Sequence, residues 1–287
     1  MTVSGITPMA DPARFAHIPE VRLGQGVEIH PSVQFGDLRR LELGDHTYIG
    51  PGVRVWGGGE FAVGDYAKIH QNTSVCAKRH VRLGHCAWIG ENTHLDGTGG
   101  LTAGDFLGVG IGSGLYSHVR QGDVLEGCNF ERDAELVIGH DVCFIGSAWV
   151  SPVRCGDKSM ALLGSVITRD MEPNHLYSGN PAEDITAKRP LIKPYSPPSV
   201  ERKVELLGQF MEEYFSRVNP VADRDRVRIV TEFPQHPDPG VTYYNVATRE
   251  YTKTLHPGEV ALNRWLFGYK AKFRPVPTQG KAPFLEP

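Results

Sequence analysis

Leu23-Gly24, Leu43-Gly44, Val63-Gly64, Leu83-Gly84 and Ala103-Gly104 are one dipeptide pattern met five times at a spacing of twenty residues. Within each period the apolar beat is six. Leu23, Ile29 and Phe35 are followed by Leu43, Ile49 and Val55, then by Val63, Ile69 and Val75. Leu83, Ile89 and Leu95 continue the series, as do Ala103, Val109 and Leu115. Each period is therefore three hexapeptides plus two residues added after the third. A fixed internal period with an apolar residue at every sixth place is the mark of a β-helical solenoid. Three short strands make a triangular coil, and residues one period apart lie above one another at strand spacing.

Composition sets the outer bounds. The 287 residues allow a sizeable core and two domains. A net charge of −3 gives no overall case for nucleic acid or an anionic membrane surface as partner. The five cysteines (Cys76, Cys86, Cys128, Cys143, Cys155) are odd in number with no CxxC pair, which fits reduced structural thiols. No apolar run approaches a membrane span, and residues 1–20 lack a signal pattern, so the sequence predicts a cytoplasmic protein without membrane insertion. Residues 1–194 hold 28 of the 33 glycines, whereas residues 195–287 hold 13 of the 26 aromatics. Four prolines in residues 190–198 mark a connector at that shift.

These observations divide the chain into an N-terminal cap (1–20), a solenoid (21–189), a connector (190–198) and an α+β extension (199–287). In the extension, Val200, Val204, Leu207, Met211, Tyr214 and Val218 fall at helical spacing behind a Ser199 cap. Arg226 to Phe233, Val241 to Val246 and Tyr251 to Leu255 read as strands, and Val260 to Tyr269 as a closing helix. The extension is expected to pack near a subunit groove, shaping an acceptor pocket or an assembly. In the solenoid the glycine of each dipeptide suits a corner with φ > 0, and Asp45, Asp65 and Asp105 after it read as turn residues.

The beat stops after His118. Residues 119–136 carry five acids and two arginines without a sixfold pattern. It resumes at Ile138-Gly139, Phe144 and Val150, and Cys155-Gly156 arrives one residue early. A long insertion in a compact repeat is more often functional than accidental. Stacking by twenty puts His118 over Thr98 and Lys78, and Tyr116 over Asp96 and Cys76. A histidine at such a corner has a side chain suited to general-base work, although surface turn histidines are the commoner case.

Gly112-Ser113-Gly114-Leu115-Tyr116-Ser117-His118 is followed by the insertion, then by Phe144-Ile145-Gly146-Ser147. Leu163-Gly164-Ser165-Val166-Ile167-Thr168-Arg169-Asp170 and Gly179-Asn180-Pro181-Ala182 complete an ordered set. This set resembles the left-handed β-helix, hexapeptide-repeat acyltransferases, in the branch of sugar O-acetyltransferases and xenobiotic acetyltransferases. The resemblance covers about residues 21–189. It implies an all-β left-handed parallel β-helix of about seven coils, with the small α+β module appended. It also implies a homotrimer with acetyl-CoA, or another acyl-CoA, in the groove between subunits, and no metal.

By the same resemblance His118 is the catalytic base, with Asp96 or Glu126 to orient it and Asn92 as an assisting polar residue. Ser147, Gly164, Ser165, Thr168 and Arg169 would line the acyl-CoA, with Lys188 and Arg189 toward its nucleotide end. Ser165 and Thr168 equally suit corner packing. Relatives usually turn basic directly after Gly-Asn-Pro-Ala, whereas Glu183 and Asp184 intervene here. Acylation of a hydroxyl on a sugar or polysaccharide precursor is the expected reaction. N-acylation of an amino-sugar nucleotide is the alternative; relatives of that kind usually carry a separate N-terminal nucleotide-sugar domain.

Two readings of other classes compete. A γ-type carbonic anhydrase uses the same solenoid with three histidines on zinc, and His70, His80, His85 and His94 invite the comparison. Zinc requires imidazole nitrogens converging at about 2.0–2.1 Å, and in this register the four occupy different points of the coil. A non-catalytic scaffold is the other, since a fold does not imply an activity. Nucleotidyltransferases with this solenoid carry a preceding nucleotide-binding domain, which residues 1–20 do not supply.

Overall fold

A computed structural model describes residues 12–188, 193–268 and 270–276. The chain divides into two compact units that part between Tyr195 and Ser196. The first is the solenoid, a left-handed parallel β-helix as the repeat and the resemblance predict. Its strands form three parallel sheets, one per face. The first face runs from Glu20–Leu23 through Arg40–Leu43, Glu60–Val63, His80–Leu83 and Leu101–Ala103 to Leu136–Ile138 and Arg154–Cys155. Register follows the twenty-residue period: Leu23 pairs with Leu43, Leu43 with Val63, Val63 with Leu83 and Leu83 with Ala103.

The sixfold beat is the core. Ile49, Ile69, Ile89 and Val109 stack inside the second face, and Val55, Val75, Leu95 and Leu115 inside the third, all with essentially no exposure. Each contributes one layer of apolar contact to the coil above and the coil below. Leu95→Ala is expected to cost about 2–5 kcal/mol, the range for a leucine cavity in a packed core; urea unfolding followed by circular dichroism measures it. A cost below about 1 kcal/mol would mean that this layer collapses around the gap.

The glycine of each Leu-Gly pair has a different cause from the expected one. Gly44 does not have positive φ; a Cβ there would lie 2.5 Å from the Asp65 nitrogen of the next coil. Close coil-to-coil approach excludes a side chain. The left-handed residue comes two positions later, at His46, Tyr66, Cys86 and Phe106. The acids between do serve the turn. Asp45 accepts from the Gln25 N–H, Asp65 from Asp45, His85 Nδ1 from Asp65 and Asp105 from His85. His140 Nδ1 and Asp157 extend the ladder by two more coils. Each side chain thus satisfies a corner N–H of the coil before it.

Past the insertion the coil shortens. Ile138 pairs with Cys155, a separation of 17 positions rather than 20: the two residues added after the third hexapeptide are gone, and Cys155 comes one residue early in the sixfold count, as the sequence predicts. Cys155 is buried there, and burial pushes its thiol up, away from reactivity. The solenoid closes in the antiparallel strands Leu176–Gly179 and Ala182–Asp184.

In the second unit, Val200–Glu213 is helical and capped by Ser199, whose side chain accepts from the Arg202 N–H at 3.3 Å. Strands Val227–Val230, Thr242–Asn245, Glu250–Tyr251 and Arg274–Pro275 form one sheet. The fourth strand has no counterpart in the sequence reading, because two half-buried residues carry no alternation. The closing helix is Pro257–Phe267, starting three residues before the apolar run, with proline in its first turn; Tyr269 lies outside the described residues. No helix among the described residues is long and apolar enough to cross a membrane.

Candidate active site

The insertion is a β-hairpin. His118–Asp123 pairs antiparallel with Cys128–Asp133, so that His118 opposes Asp133 at the base and Asp123 opposes Cys128 near the tip. Both strands are almost wholly exposed. With neither face buried, no apolar alternation is required, and the sequence accordingly shows none. The hairpin is fixed at its base. The Ala134 N–H donates to the Ser117 carbonyl at 3.1 Å, and the Gly99 N–H donates to Ser117 Oγ at 2.9 Å. Glu135 accepts from Thr102 Oγ1 at 2.7 Å and lies 3.1 Å from His80 Nε2.

Asp96 is the centre of this base. It closes the third-face strand His94–Asp96 and is fully buried. Its Oδ1 accepts from the Thr98 N–H at 3.1 Å and from Thr98 Oγ1 at 2.6 Å. Its Oδ2 accepts from the Ser117 N–H, Ser117 Oγ and the His118 N–H at 2.9, 3.1 and 3.1 Å. The sixth donor is His118 Nδ1, at 2.6 Å. Burial alone would favour the neutral acid. The donors from His118, Thr98 and Ser117 outweigh it and hold the carboxyl below the usual aspartate range.

The consequence for His118 is a defined tautomer. An ionised carboxylate accepts, so Nδ1 carries a proton, and in the neutral imidazole the lone pair is on Nε2. The imidazole is 38 % exposed while its aspartate is 1 % exposed. One nitrogen is therefore anchored, and the ring remains accessible to a second molecule. This arrangement of base and buried orienting acid can take a proton from a hydroxyl or amine.

The structure sorts the other sequence candidates. Glu126 lies in the turn at the hairpin tip, where its N–H donates to Asp123 Oδ1. Five extended residues at about 3.3 Å each separate that end from His118, on the order of 17 Å. Glu126 is therefore not the orienting acid, and Asp96 holds that place. Asn92, Ser147 and Gly164 share the corner between the second and third faces, all with positive φ. Asn92 accepts from Asn72 Nδ2 at 3.3 Å. The third-face strand separates it from the His118 corner, so Asn92 serves its turn and is not brought to the imidazole.

Ser165 is buried, and its hydroxyl donates to the Leu162 carbonyl at 2.6 Å, a corner role. Thr168 and Arg169 are exposed and follow the third-face strand Val166–Ile167, on the corner to which His118 belongs. Lys188 forms an exposed ion pair with Glu183 at 2.8 Å, the effect of the acids that interrupt the expected basic run. Arg189 lies outside the described residues. The histidines weighed for zinc sit apart: His70 after the second-face strand Lys68–Ile69, His80 on the first face, His85 in the Asp/His ladder and His94 on the third. Among the described residues no group of three His, Cys, Asp or Glu side chains is placed to hold a metal.

Three aromatic residues lie together beside the site, and one of them, Trp149, was not singled out in the sequence. His94 and Tyr116 have ring centroids 5.5 Å apart, and Tyr116 stacks on Trp149 at 6.0 Å with planes 12° apart. Trp149 pairs with Gly114, and Tyr116 follows two residues later. His94 is pushed down by burial, opposed by the charge of Asp96 and assisted by that of His118.

No family model matches the chain, and no curated protein matches it. Solved structures do. It is similar to AntD, an N-acyltransferase from Bacillus cereus in complex with dTDP and 3-hydroxybutyryl-CoA, at 14% identity over 73% of this chain and 100% of that one, with a TM-score of 0.45. The polySia-specific acetyltransferase NeuO matches at 16% identity over 59% of this chain and 86% of that one, with a TM-score of 0.40. WeeI from Acinetobacter baumannii AYE matches at 12% identity, covering 55% and 57%, with a TM-score of 0.36. These are likenesses of fold.

Proposed function

We propose that this chain is an acyl-CoA-dependent acyltransferase that moves an acyl group, acetyl in the first instance, to a hydroxyl of a sugar or polysaccharide precursor. The observation that carries the reading is the His118–Asp96 pair, 2.6 Å long, with the acid buried beneath six donors. In this mechanism the acceptor hydroxyl donates to His118 Nε2. As its oxygen attacks the thioester carbonyl, the proton passes to Nε2 and the imidazolium is stabilised by Asp96. The tetrahedral intermediate collapses by breaking the carbon–sulfur bond, and Nε2 returns the proton to the departing thiolate. No acyl-enzyme is required.

The solenoid offers a surface of the right character for the donor substrate. Ile111, Ile145 and Leu163 are exposed near the corner that carries Ser147 and Gly164. A Cβ built on Gly164 meets nothing within 4 Å, so the corner is open beside them. An apolar edge of this kind suits a pantetheine arm, and Thr168 and Arg169, both exposed, offer a hydroxyl and a cation to the acyl-CoA. Lys188 contributes less, because Glu183 already neutralises it. The groove between neighbouring copies of a homotrimer is where the acyl-CoA is placed in this reading; equilibrium sedimentation showing a monomer would remove that part.

The test is release of free CoA from acetyl-CoA with a panel of hydroxyl acceptors, each run beside its amino counterpart. Acceptor-dependent release with hydroxyl sugars supports the assignment. Release with amino sugars alone would move it to N-acylation, and no release with either would favour a non-catalytic solenoid.

A further inference from the structure

Tyr116 and Trp149 are more than two neighbouring aromatics. Trp149 stands on the outer side of the third face, in the column that also holds Gln34, Arg54, Ser74, His94 and Gly114. Every residue of that column except glycine projects a side chain. At Gly114 a Cβ would lie 2.6 Å from the Tyr116 ring and 2.8 Å from the Trp149 ring. The missing side chain is the space in which the two rings meet. Their planes differ by only 12°, so Tyr116 backs the indole and the stacked pair forms a ledge. Trp149 is 48 % exposed, a large apolar area left facing solvent.

The ledge begins next to the site. Tyr116 is two residues before His118. It stands in the column above Asp96, and burial first, then the charge of that acid, raises its hydroxyl. On the other side Tyr116 meets His94, itself held by Ser74 Oγ at 2.7 Å from Nδ1. The ledge is therefore braced on one side and open on the other.

We infer that Trp149, supported by Tyr116, is the platform on which a pyranose ring of the acceptor stacks, and so a specificity-determining residue of this site. The inference rests on the acyl-transfer reading for the identity of the reacting hydroxyl, but not for the binding itself. A pyranose has one face of axial C–H groups and a rim of hydroxyls. The C–H face matches an exposed indole, whose ring carries negative charge on its face, while the rim stays in water or reaches His118. A flat aromatic base stacks on an indole as well. The adenine of acyl-CoA, however, lies at the far end of the pantetheine arm from the reacting thioester, whereas the ledge starts at the base.

Saturation-transfer NMR tests this with the full chain and the methyl pyranosides of glucose, galactose, mannose and N-acetylglucosamine. At least one is expected to receive saturation, strongest on its axial ring protons. Trp149→Ala should abolish that signal or weaken binding at least tenfold, and Trp149→Phe should restore most of it. Trp88→Ala, at an exposed tryptophan of the second face, should leave it unchanged. Absence of saturation transfer to all four pyranosides, or equal transfer in Trp149→Ala, overturns the platform, as does displacement of the pyranoside by adenosine 3′,5′-bisphosphate at the Trp149 ring. In turnover, Trp149→Ala should raise the acceptor KM tenfold or more with the acetyl-CoA KM unchanged. A chain that binds pyranosides through Trp149 yet transfers nothing keeps the platform and loses the transfer reading; transfer with an unaltered acceptor KM does the reverse.

Discussion

His118→Ala is expected to lower acceptor-dependent CoA release by about 10²–10⁴-fold, the usual contribution of a positioned general base. The fold should survive. The imidazole is partly exposed, and Asp96 retains five of its six donors when the ring is removed. The thermal midpoint should therefore stay within a few degrees of the native value, which separates loss of a base from loss of structure. His118→Gln is the stricter comparison: it retains a polar side chain at the corner but has no basic nitrogen, so it should fall as far as alanine. Turnover within threefold of native for either variant would remove His118 from the mechanism.

Asp96 is expected to show the second large effect, and on two properties at once. Asp96→Ala removes the shared acceptor of two hydroxyls, three backbone N–H groups and one imidazole. A buried donor left without a partner costs about 1–3 kcal/mol; since some of these groups will find water, the expected net loss is about 3–5 kcal/mol. For a unit of this size that is a fall in melting temperature on the order of 10 °C. Differential scanning calorimetry measures it, and a fall of less than 2 °C would mean that the six bonds are replaced.

The pH dependence follows from the direction of the Asp96 shift. Its folded pKa lies below the unfolded one, near 3.9 for a free aspartate. Its stabilisation is complete above the unfolded value and declines as pH falls from there through the lower, folded value. Asp96→Asn should therefore lose most stability relative to native at neutral pH, with the gap narrowing under acid. The amide introduced by Asp96→Asn would also cease to select the Nδ1–H tautomer of His118, so turnover should drop with little change in the acetyl-CoA KM. A constant stability gap from pH 7 to pH 2 would contradict this account.

The solenoid was legible in the sequence because its physics is local and repeated. Leu43, Val63 and Leu83 each face the same interior, so the same residue class recurs at the same spacing, and Leu95 and Leu115 could be assigned to a core layer from their position alone. The corner acids were legible for the same reason: one side chain per coil meets one N–H per coil. Gly44 was placed correctly but explained wrongly, since the sequence shows a missing side chain and not whether conformation or proximity requires it. The hairpin was legible only as an interruption. Its two strands meet water on both faces, so no pattern records their pairing.

The amino-acid order by itself determined the coil, its period, the third-face column of Asp96 and Tyr116, and the corner at which His118 leaves the solenoid. Those are consequences of strand spacing and a repeated apolar demand, which neighbouring residues encode without reference to distant ones. Tertiary structure decided which acid serves His118. Asp96 and Glu126 were equal candidates in the chain, and folding moved one beneath the imidazole and the other to the end of a hairpin. It also decided that Gly114 is the gap where Tyr116 meets Trp149, two rings 33 positions apart brought to 6.0 Å by a coil that first runs out through the insertion. Contacts of that kind depend on where an irregular segment returns to the repeat, and no period in the sequence carries that information.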